Sequence, residues 1–478
     1  MADPGRVGFL SSPEAIHRRA ARRSVCRVAR ALPRGLPRRG STRTRALACA
    51  LACALAGSPA YSLTATAAPA GGASPGAAPS PAPAATPSPA VAGALRAHLA
   101  HELRIAGSGS GVYVYDLTSN RLLFSERAAV AHPPASVEKL YTSTAALLHL
   151  GPAATLSTAV LGTGRLEPGG RWQGNLYLRG GGDPTFGSQA FVRSHYGGLG
   201  ASVQTLAAAL VRDGIRSVGG RIEGDESYFD SRRGEPSSNY AFDPYLEGSL
   251  SALAFNRGED GSRSGPHAPA EYAAQQLAGA LRADHVSVHG AVGAAVTPAS
   301  AVALATVASP TLAQLLGLML PPSDNFFAEM LLKGLGARFG GAGSTAAGAA
   351  VVRQSIAAAL GLHPRIVDGS GLSASDLTSP EQVVRLLAYL HTSPLGHYIT
   401  GALAVAGRDG TLQDRMLNSV ATGRCRAKTG TLTGVSNLAG YCQSRGGDLI
   451  AFAFFNDGIA IEAAHAIQDN MAITLARY

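Results

Sequence analysis

The sequence predicts a mixed α/β (α+β) fold: one antiparallel sheet covered by helices and interrupted by an inserted subdomain. Three observations point to it. Strand-like runs stand at both ends of the folded region, 111–116 and 121–124 early, then 424–432, 436–444 and 448–456 late. From Ser309 to about residue 391 the pattern turns helical. Residues 156–304 mix strands, glycine-rich turns and two helical stretches. A long excursion between strands of one sheet adds little closure entropy.

Residues 1–60 read as an export leader, or signal peptide. They carry twelve arginines against two acids, Asp3 and Glu14. The arginine-rich stretch ends at Arg45. An apolar run, 46–56, follows, with small residues up to Ala60 that suit cleavage. Eleven apolar residues are too few for a span, which needs ~20. An uncleaved anchor is the alternative. Arg22-Arg23 lies too far from the apolar run to serve as a twin-arginine signal. The leader implies action outside the cytoplasm, in the periplasm or an extracellular space, with no stable membrane span once it is cleaved.

Residues 61–92 are almost wholly Ala, Pro, Gly, Ser and Thr. Such a stretch cannot build a core and reads as a disordered tether. Folded sequence starts near Gly93. Strands 111–116 and 121–124 flank the turn Thr118-Ser119-Asn120. Pro133-Pro134 starts a helix that runs to about Leu150 and stops at Gly151. The excursion 156–304 holds helices over 203–213 and 270–283. Its Gly180-Gly181-Gly182-Asp183-Pro184 lacks the Gly-Lys-Ser/Thr of a phosphate loop, so it reads as a turn. Further helices are predicted over 311–320, 325–335, 345–360 and 380–391, the last capped by Ser379. A final helix covers 462–477.

Charge excludes a nucleic-acid groove. The formal net charge is +10, and all of it resides in 1–60; the remainder holds 29 basic and 29 acidic residues. Of five cysteines, Cys26, Cys49 and Cys53 fall in the leader. Cys425 and Cys442 flank Thr433-Gly434 symmetrically. A hairpin turning there sets them opposite one another, either as a disulfide or as two buried thiols. No C-x-x-C or H-E-x-x-H spacing occurs and the thirteen histidines are scattered. No metal and no cofactor are expected.

The chemistry gathers around lysine. The chain has three lysines among 41 basic residues. Lys139 closes Ser136-Val137-Glu138-Lys139, an S-x-x-K. Lys428 opens Lys428-Thr429-Gly430, a K-T-G. Between them lies Ser323-Asp324-Asn325, an S-x-N. Arginine cannot lose its proton in a protein, whereas a buried lysine can. A lysine three residues after a serine therefore suggests a neutral amine serving as base for a nucleophile.

Amide hydrolysis through serine needs a nucleophile, a base, a proton route to the leaving nitrogen and donors for the oxyanion. Ser136 is the candidate nucleophile and Lys139 its base. Burial and a positive Lys428 would both lower the Lys139 pKa. Ser323 can pass a proton to the leaving amine, and Asn325 can hold substrate and orient Lys139. Lys428 and Thr429 suit a substrate carboxylate. Gly430 lets substrate approach the strand backbone closely. The backbone amides of Ser136 and Thr431 are the candidate oxyanion donors. Lys333, eight residues beyond Asn325, is expected to be a helix residue or a charge one layer behind the site, and no role is assigned to it.

Further motifs accompany these three: Gly182-Asp183-Pro184-Thr185, Ser251-Ala252-Leu253-Ala254-Phe255-Asn256, Asp368-Gly369-Ser370-Gly371-Leu372-Ser373, and the continuation of Lys428-Thr429-Gly430 to Val435. With them the chain resembles, over about 95–478, the penicillin-binding D-alanyl-D-alanine carboxypeptidases that also act as DD-endopeptidases, the class C low-molecular-mass group. The resemblance implies a penicillin-binding-protein/serine β-lactamase-like transpeptidase fold. On that reading 93–155 and 305–478 form the catalytic domain and 156–304 the insertion. It implies an acyl-enzyme mechanism on peptidoglycan stem peptides ending in D-Ala-D-Ala. It further implies cleavage of cross-links, and β-lactam antibiotics as covalent inhibitors of the same serine.

Two departures stand out. Family members often carry a further β-rich subdomain after the Asn256 region, and here about a dozen residues separate Asn256 from Pro269. Asp368–Ser373 continues as Ala374-Ser375-Asp376, where the family usually has arginine and asparagine. Two other functions compete on the same residues: a serine β-lactamase or esterase, which needs an additional acid for deacylation, and a non-catalytic wall-binding protein. Release of D-Ala, rapid penicillin hydrolysis, or neither separates the three.

Overall fold

The computed structural model describes residues 88–258 and 268–478. The leader, its three cysteines and most of the expected tether lie outside them. The tether was expected to run through residue 92, but its end is helical. The Ser88 hydroxyl accepts from the Val91 amide at 3.4 Å, and Pro89 opens the helix Pro89–Ala106. Leu95, Leu99 and Leu103 recur at four-residue spacing and are buried.

A six-stranded antiparallel sheet runs in the order Ala404–Val405, Cys425–Leu432, Val435–Gln443, Leu449–Asp457, Ser110–Asp116, Arg121–Glu126. The two ends of the folded chain meet in it: Val112 lies opposite Phe454 and Val114 opposite Phe452. The hairpin turns at Thr433-Gly434, with Gly434 at φ +75°, which favours glycine. Its register sets Cys425 opposite Cys442, and the two form a disulfide.

Alternation sorts the sheet's faces. On Leu449–Asp457, Ile450, Phe452 and Phe454 join the core shared with Pro89–Ala106 and the last helix, Ile461–Arg477. Ala451, Ala453 and Phe455 join the opposite core, with the helices Lys139–Leu150, Leu312–Met319, Asn325–Phe339, Thr345–Leu360 and Pro380–Thr392. Each fully buried phenylalanine contributes roughly 1.5–3 kcal/mol. No helix among the described residues is long and apolar enough to cross a membrane.

The inserted region has its own core, built on Val160, Trp172, Leu178, Leu206, Leu277 and Leu281. Its five-stranded sheet is mixed, in the order Val292–Ala294, Ile222–Asp225, Leu176–Gly180, Ser157–Gly162, Val302–Ala308. The last strand carries this sheet to Ala308, past the expected limit of 304. Its helices are Gln189–Tyr196, Val203–Arg212 and Pro269–Ala283, the first not foreseen. The Gly180–Pro184 stretch is a turn: Asp183 Oδ1 accepts from the Thr185 amide at 2.8 Å and hydroxyl at 2.7 Å.

Candidate active site

Ser136 lies in a short 3-10 turn, Ala135–Glu138, and the α-helix begins only at Lys139. Ala135 sits at φ +48°, a left-handed conformation costly for a residue with a Cβ. Its neighbours hold it there. Asn437 Nδ2 donates to the carbonyls of Pro133 and Pro134 at 2.9 and 3.0 Å. A Cβ on Gly430 would stand 2.4 Å from the Pro134 oxygen, and one on Gly371 1.9 Å from that of Ala135. Only glycine permits either approach. Gly430, read from sequence as making room for substrate, thus makes room for the turn that carries Ser136.

Lys139 is fully buried at the first turn of its helix. Its Nζ lies 2.9 Å from Ser136 Oγ, 2.6 Å from Asn325 Oδ1 and 2.8 Å from the Ser370 carbonyl oxygen. Asn325 opens the helix Asn325–Phe339, and its Nδ2 donates to the Tyr245 carbonyl at 2.8 Å. Asp324 caps that helix, accepting from the Phe327 amide at 3.0 Å. Its carboxylate also receives Arg257, at 2.6 and 3.1 Å. Ser323, at φ +68°, is thereby held on a left-handed corner. Lys428, also fully buried, donates to Ser323 Oγ at 2.7 Å and to the Thr429 carbonyl at 3.0 Å. Thr429 is half-buried and Thr431 exposed. The strand Ala404–Val405 pairs with Arg426 and Ala427 only. Beyond them that edge of the Lys428 strand has no strand partner among the described residues. All eight site residues predicted from sequence fall in this one region.

Burial lowers the Lys139 amine to about 8, against the opposing pull of Asp368, Glu329, Asp324 and Glu138. Burial pushes Lys428 well below the ordinary lysine range, and repulsion from Lys139 pushes it further. The expected charged Lys428 beside a neutral Lys139 therefore needs correction. Burial disfavours charge on both amines while no anion is bound. Behind Lys139 lie four buried carboxyl groups, Glu138, Glu329, Asp368 and Asp376. Burial, Asp368 and Glu329 raise Glu138 well above the usual range, and neither of its oxygens has a partner.

The D-Ala-D-Ala carboxypeptidase 3 (S13) family model matches residues 91–246 and 245–478. The chain belongs to that family. It is 30% identical to the "D-alanyl-D-alanine carboxypeptidase" of Actinomadura sp. (strain R39), over 82% of this chain and 87% of that one. In structure it is similar to penicillin-binding protein 4 of Haemophilus influenzae, with TM-score 0.66, 22% identity, and 80% and 99% of the two chains covered. The same protein complexed with a β-lactam matches with TM-score 0.60, 21% identity, and 78% and 98% covered. The fold is therefore that of a penicillin-binding protein, and the chain is a D-Ala-D-Ala carboxypeptidase by family.

Several partners of this S13 site escaped sequence reasoning. The Ser370 and Tyr245 carbonyls are backbone atoms without a residue-type signature. Arg257 and Asn437 act on motif residues from distant positions. Glu329 was detectable: Asn325, Glu329 and Lys333 recur every four residues, one face of a helix. Lys333 is a residue of the helix Asn325–Phe339. It is buried and donates to Asp230 at 2.6 Å and to the Arg232 carbonyl at 2.9 Å. In the Ala374-Ser375-Asp376 continuation, Ala374 is exposed and Asp376 is buried, accepting the amides of Val367 and Asp368.

Proposed function

We infer that this S13 carboxypeptidase works through an acyl-enzyme on Ser136, with neutral Lys139 as the base. The partner set of Lys139 Nζ carries the reading. A neutral amine has two hydrogens and one lone pair. Asn325 Oδ1 and the Ser370 carbonyl can only accept, so they take both hydrogens. The lone pair is left for the Ser136 hydroxyl, at 2.9 Å.

The substrate is a peptidoglycan stem peptide ending in D-Ala-D-Ala. Ser136 Oγ bonds to the penultimate carbonyl carbon while its proton passes to Lys139. The amides of Ser136 and Thr431 receive the oxyanion. The C–N bond to terminal D-Ala then breaks. The proton held by Lys139 ends on the leaving nitrogen, with the Ser323 hydroxyl in relay and Asn325 holding the substrate amide. Water attacks the ester, gives a proton to Lys139, and Ser136 recovers its hydroxyl. Lys428 and Thr429 take the substrate carboxylate, and an anion arriving there favours the ammonium form of Lys428. Gly430 keeps this strand against the Ser136 turn. An endopeptidase runs the same steps on a cross-link. A β-lactam acylates Ser136 and leaves slowly, a reading supported by the β-lactam complex of the Haemophilus influenzae protein. The enzyme acts in the periplasm or the extracellular cell-wall space.

Fluorescent penicillin tests the assignment. Wild type gains a covalent adduct on the peptide containing Ser136. Ser136→Ala and Lys139→Arg both lose it, because a guanidinium cannot serve as base. Wild type also releases D-Ala from a stem pentapeptide. Labelling of Lys139→Arg at the wild-type rate would refute the base.

A further inference from the structure

The two acceptors that take the Lys139 hydrogens are held differently. Asn325 is a side chain whose amide is tied to the Tyr245 carbonyl. The other is a loop carbonyl, that of Ser370, and its direction depends on how the 367–376 loop is held. Four buried side chains hold it. Asp376 Oδ1 accepts the amides of Val367 and Asp368. Asp368 accepts those of Gly371 at 2.6 Å, on the peptide that carries the Ser370 carbonyl, and Ser373 at 2.7 Å, and shares that of Ser370 at 3.2 Å. Thr142, one turn beyond Lys139, donates to the Gly369 carbonyl at 3.0 Å. Glu329 holds the two peptides that lead into Ser370. Its Oε1 accepts from the amides of both Gly369 and Ser370, each at 2.8 Å.

Glu329 stands one helical turn after Asn325. One face of one helix therefore governs both acceptors, directly through Asn325 and indirectly through Glu329. A buried carboxyl group is costly to keep. Glu329 is fully buried, its Oε2 has no partner, and it touches no atom of Ser136 or Lys139 in any hydrogen bond. An apolar residue would fill the space at lower cost, but it could not receive two amides.

We propose that Glu329 is a positioning residue for the base: by holding the Gly369 and Ser370 amides it aims the Ser370 carbonyl at Lys139, and so aims the amine lone pair at Ser136. This inference rests on the acyl-enzyme reading above. Burial, with Asp368 beside it, raises Glu329 well above the usual carboxylate range and favours the neutral acid, of which glutamine is a close mimic.

Two conservative variants separate geometry from charge. Glu329→Gln keeps the acceptor and removes the ionisable group. Glu329→Asp keeps the ionisable group and withdraws the acceptor by one methylene. The full chain is reacted with fluorescent penicillin, and the acylation rate constant is resolved from the pre-acylation dissociation constant. Misplacement on the ångström scale can cost on the order of 100-fold, so Glu329→Asp is expected to acylate about 30-fold more slowly with unchanged pre-acylation binding. Glu329→Gln is expected within about 3-fold of wild type on the same ground. Equal rates in all three proteins would overturn the proposal. So would the reverse pattern, or an equal loss in both variants. Absence of label from wild type Ser136 would instead overturn the acyl-enzyme reading and this inference with it.

Discussion

The inserted region and the main sheet with its helices bury different kinds of charge. In the insert, the buried acids Asp183 and Glu235 are met by amides and hydroxyls of their own turns, and arginines reach Glu223 and Asp225 from the rim. Arg221 pairs with Glu223 and Arg179 approaches Asp225, with both arginines about half exposed. Around the main sheet, Lys139, Lys428, Glu138, Glu329, Asp368 and Asp376 are all fully buried. Each buried ion costs several kcal/mol before its partners compensate. On the proposed mechanism the main-sheet region tolerates these destabilising groups because the reaction needs a neutral amine and a fixed carbonyl. The two meet at the site: Arg257 of the insert clamps Asp324, the Tyr245 carbonyl orients Asn325, and Asp230 pairs with Lys333.

The contrast can be broken at graded strength. The largest effect belongs to the buried amine. Lys139→Arg should lower acylation by roughly 1,000-fold or more, since a lost general base typically costs 100- to 10,000-fold and the nucleophile then has no acceptor. Next is the clamp between regions. The Arg257–Asp324 pair is about 90% buried on both sides, with 10% and 12% exposure. Arg257→Met leaves that carboxylate unpaired, and breaking such a pair costs about 3–5 kcal/mol. Denaturant unfolding should show the loss, and Asp324→Asn in the same chain should recover part of it. Acylation by Arg257→Met should fall about tenfold as Ser323 and Asn325 loosen. Wild-type stability and rate together would remove the insert from any bracing role.

The smallest effect on rate belongs to the disulfide. Cys425 and Cys442 lie on the face of the sheet away from Lys139 and close a 17-residue separation. Removing a cross-link of that length should cost about 3 kcal/mol by chain entropy. A Cys425→Ala, Cys442→Ala double variant should unfold at correspondingly lower denaturant yet acylate within about twofold of wild type. A large rate loss would mean that the far end of the Lys428 strand helps to set the site.

Much of the main sheet was legible because its signals are local. Strand-like runs between turn signals marked the strands, the symmetric spacing about Thr433-Gly434 set Cys425 opposite Cys442, and Ser379-Pro380 marked a helix start. Elements were missed where composition misled. Pro89–Ala106 begins inside an Ala/Pro-rich stretch, and Gln189–Tyr196 has eight residues between glycine-rich turns. At the site, side chains in motifs were readable and backbone atoms were not. The Ser370 carbonyl carries no residue-type signature, yet it takes one of the two amine hydrogens. The four-residue spacing of Asn325, Glu329 and Lys333 was in plain view. It was passed over because Lys333 was read alone rather than as one end of a polar helix face.

The same scarcity of lysine makes the central claim directly measurable. Protein labelled with 13C-lysine has three Cε signals, from Lys139, Lys333 and Lys428. The Lys139 signal is identified by its loss in Lys139→Arg. Followed through a pH titration, it should show its midpoint near about 8. Acylation should rise over the same range, because the base acts only when unprotonated. A Lys139 midpoint at the ordinary lysine value of about 10.4 would contradict the account, for the amine would then be charged wherever the enzyme works.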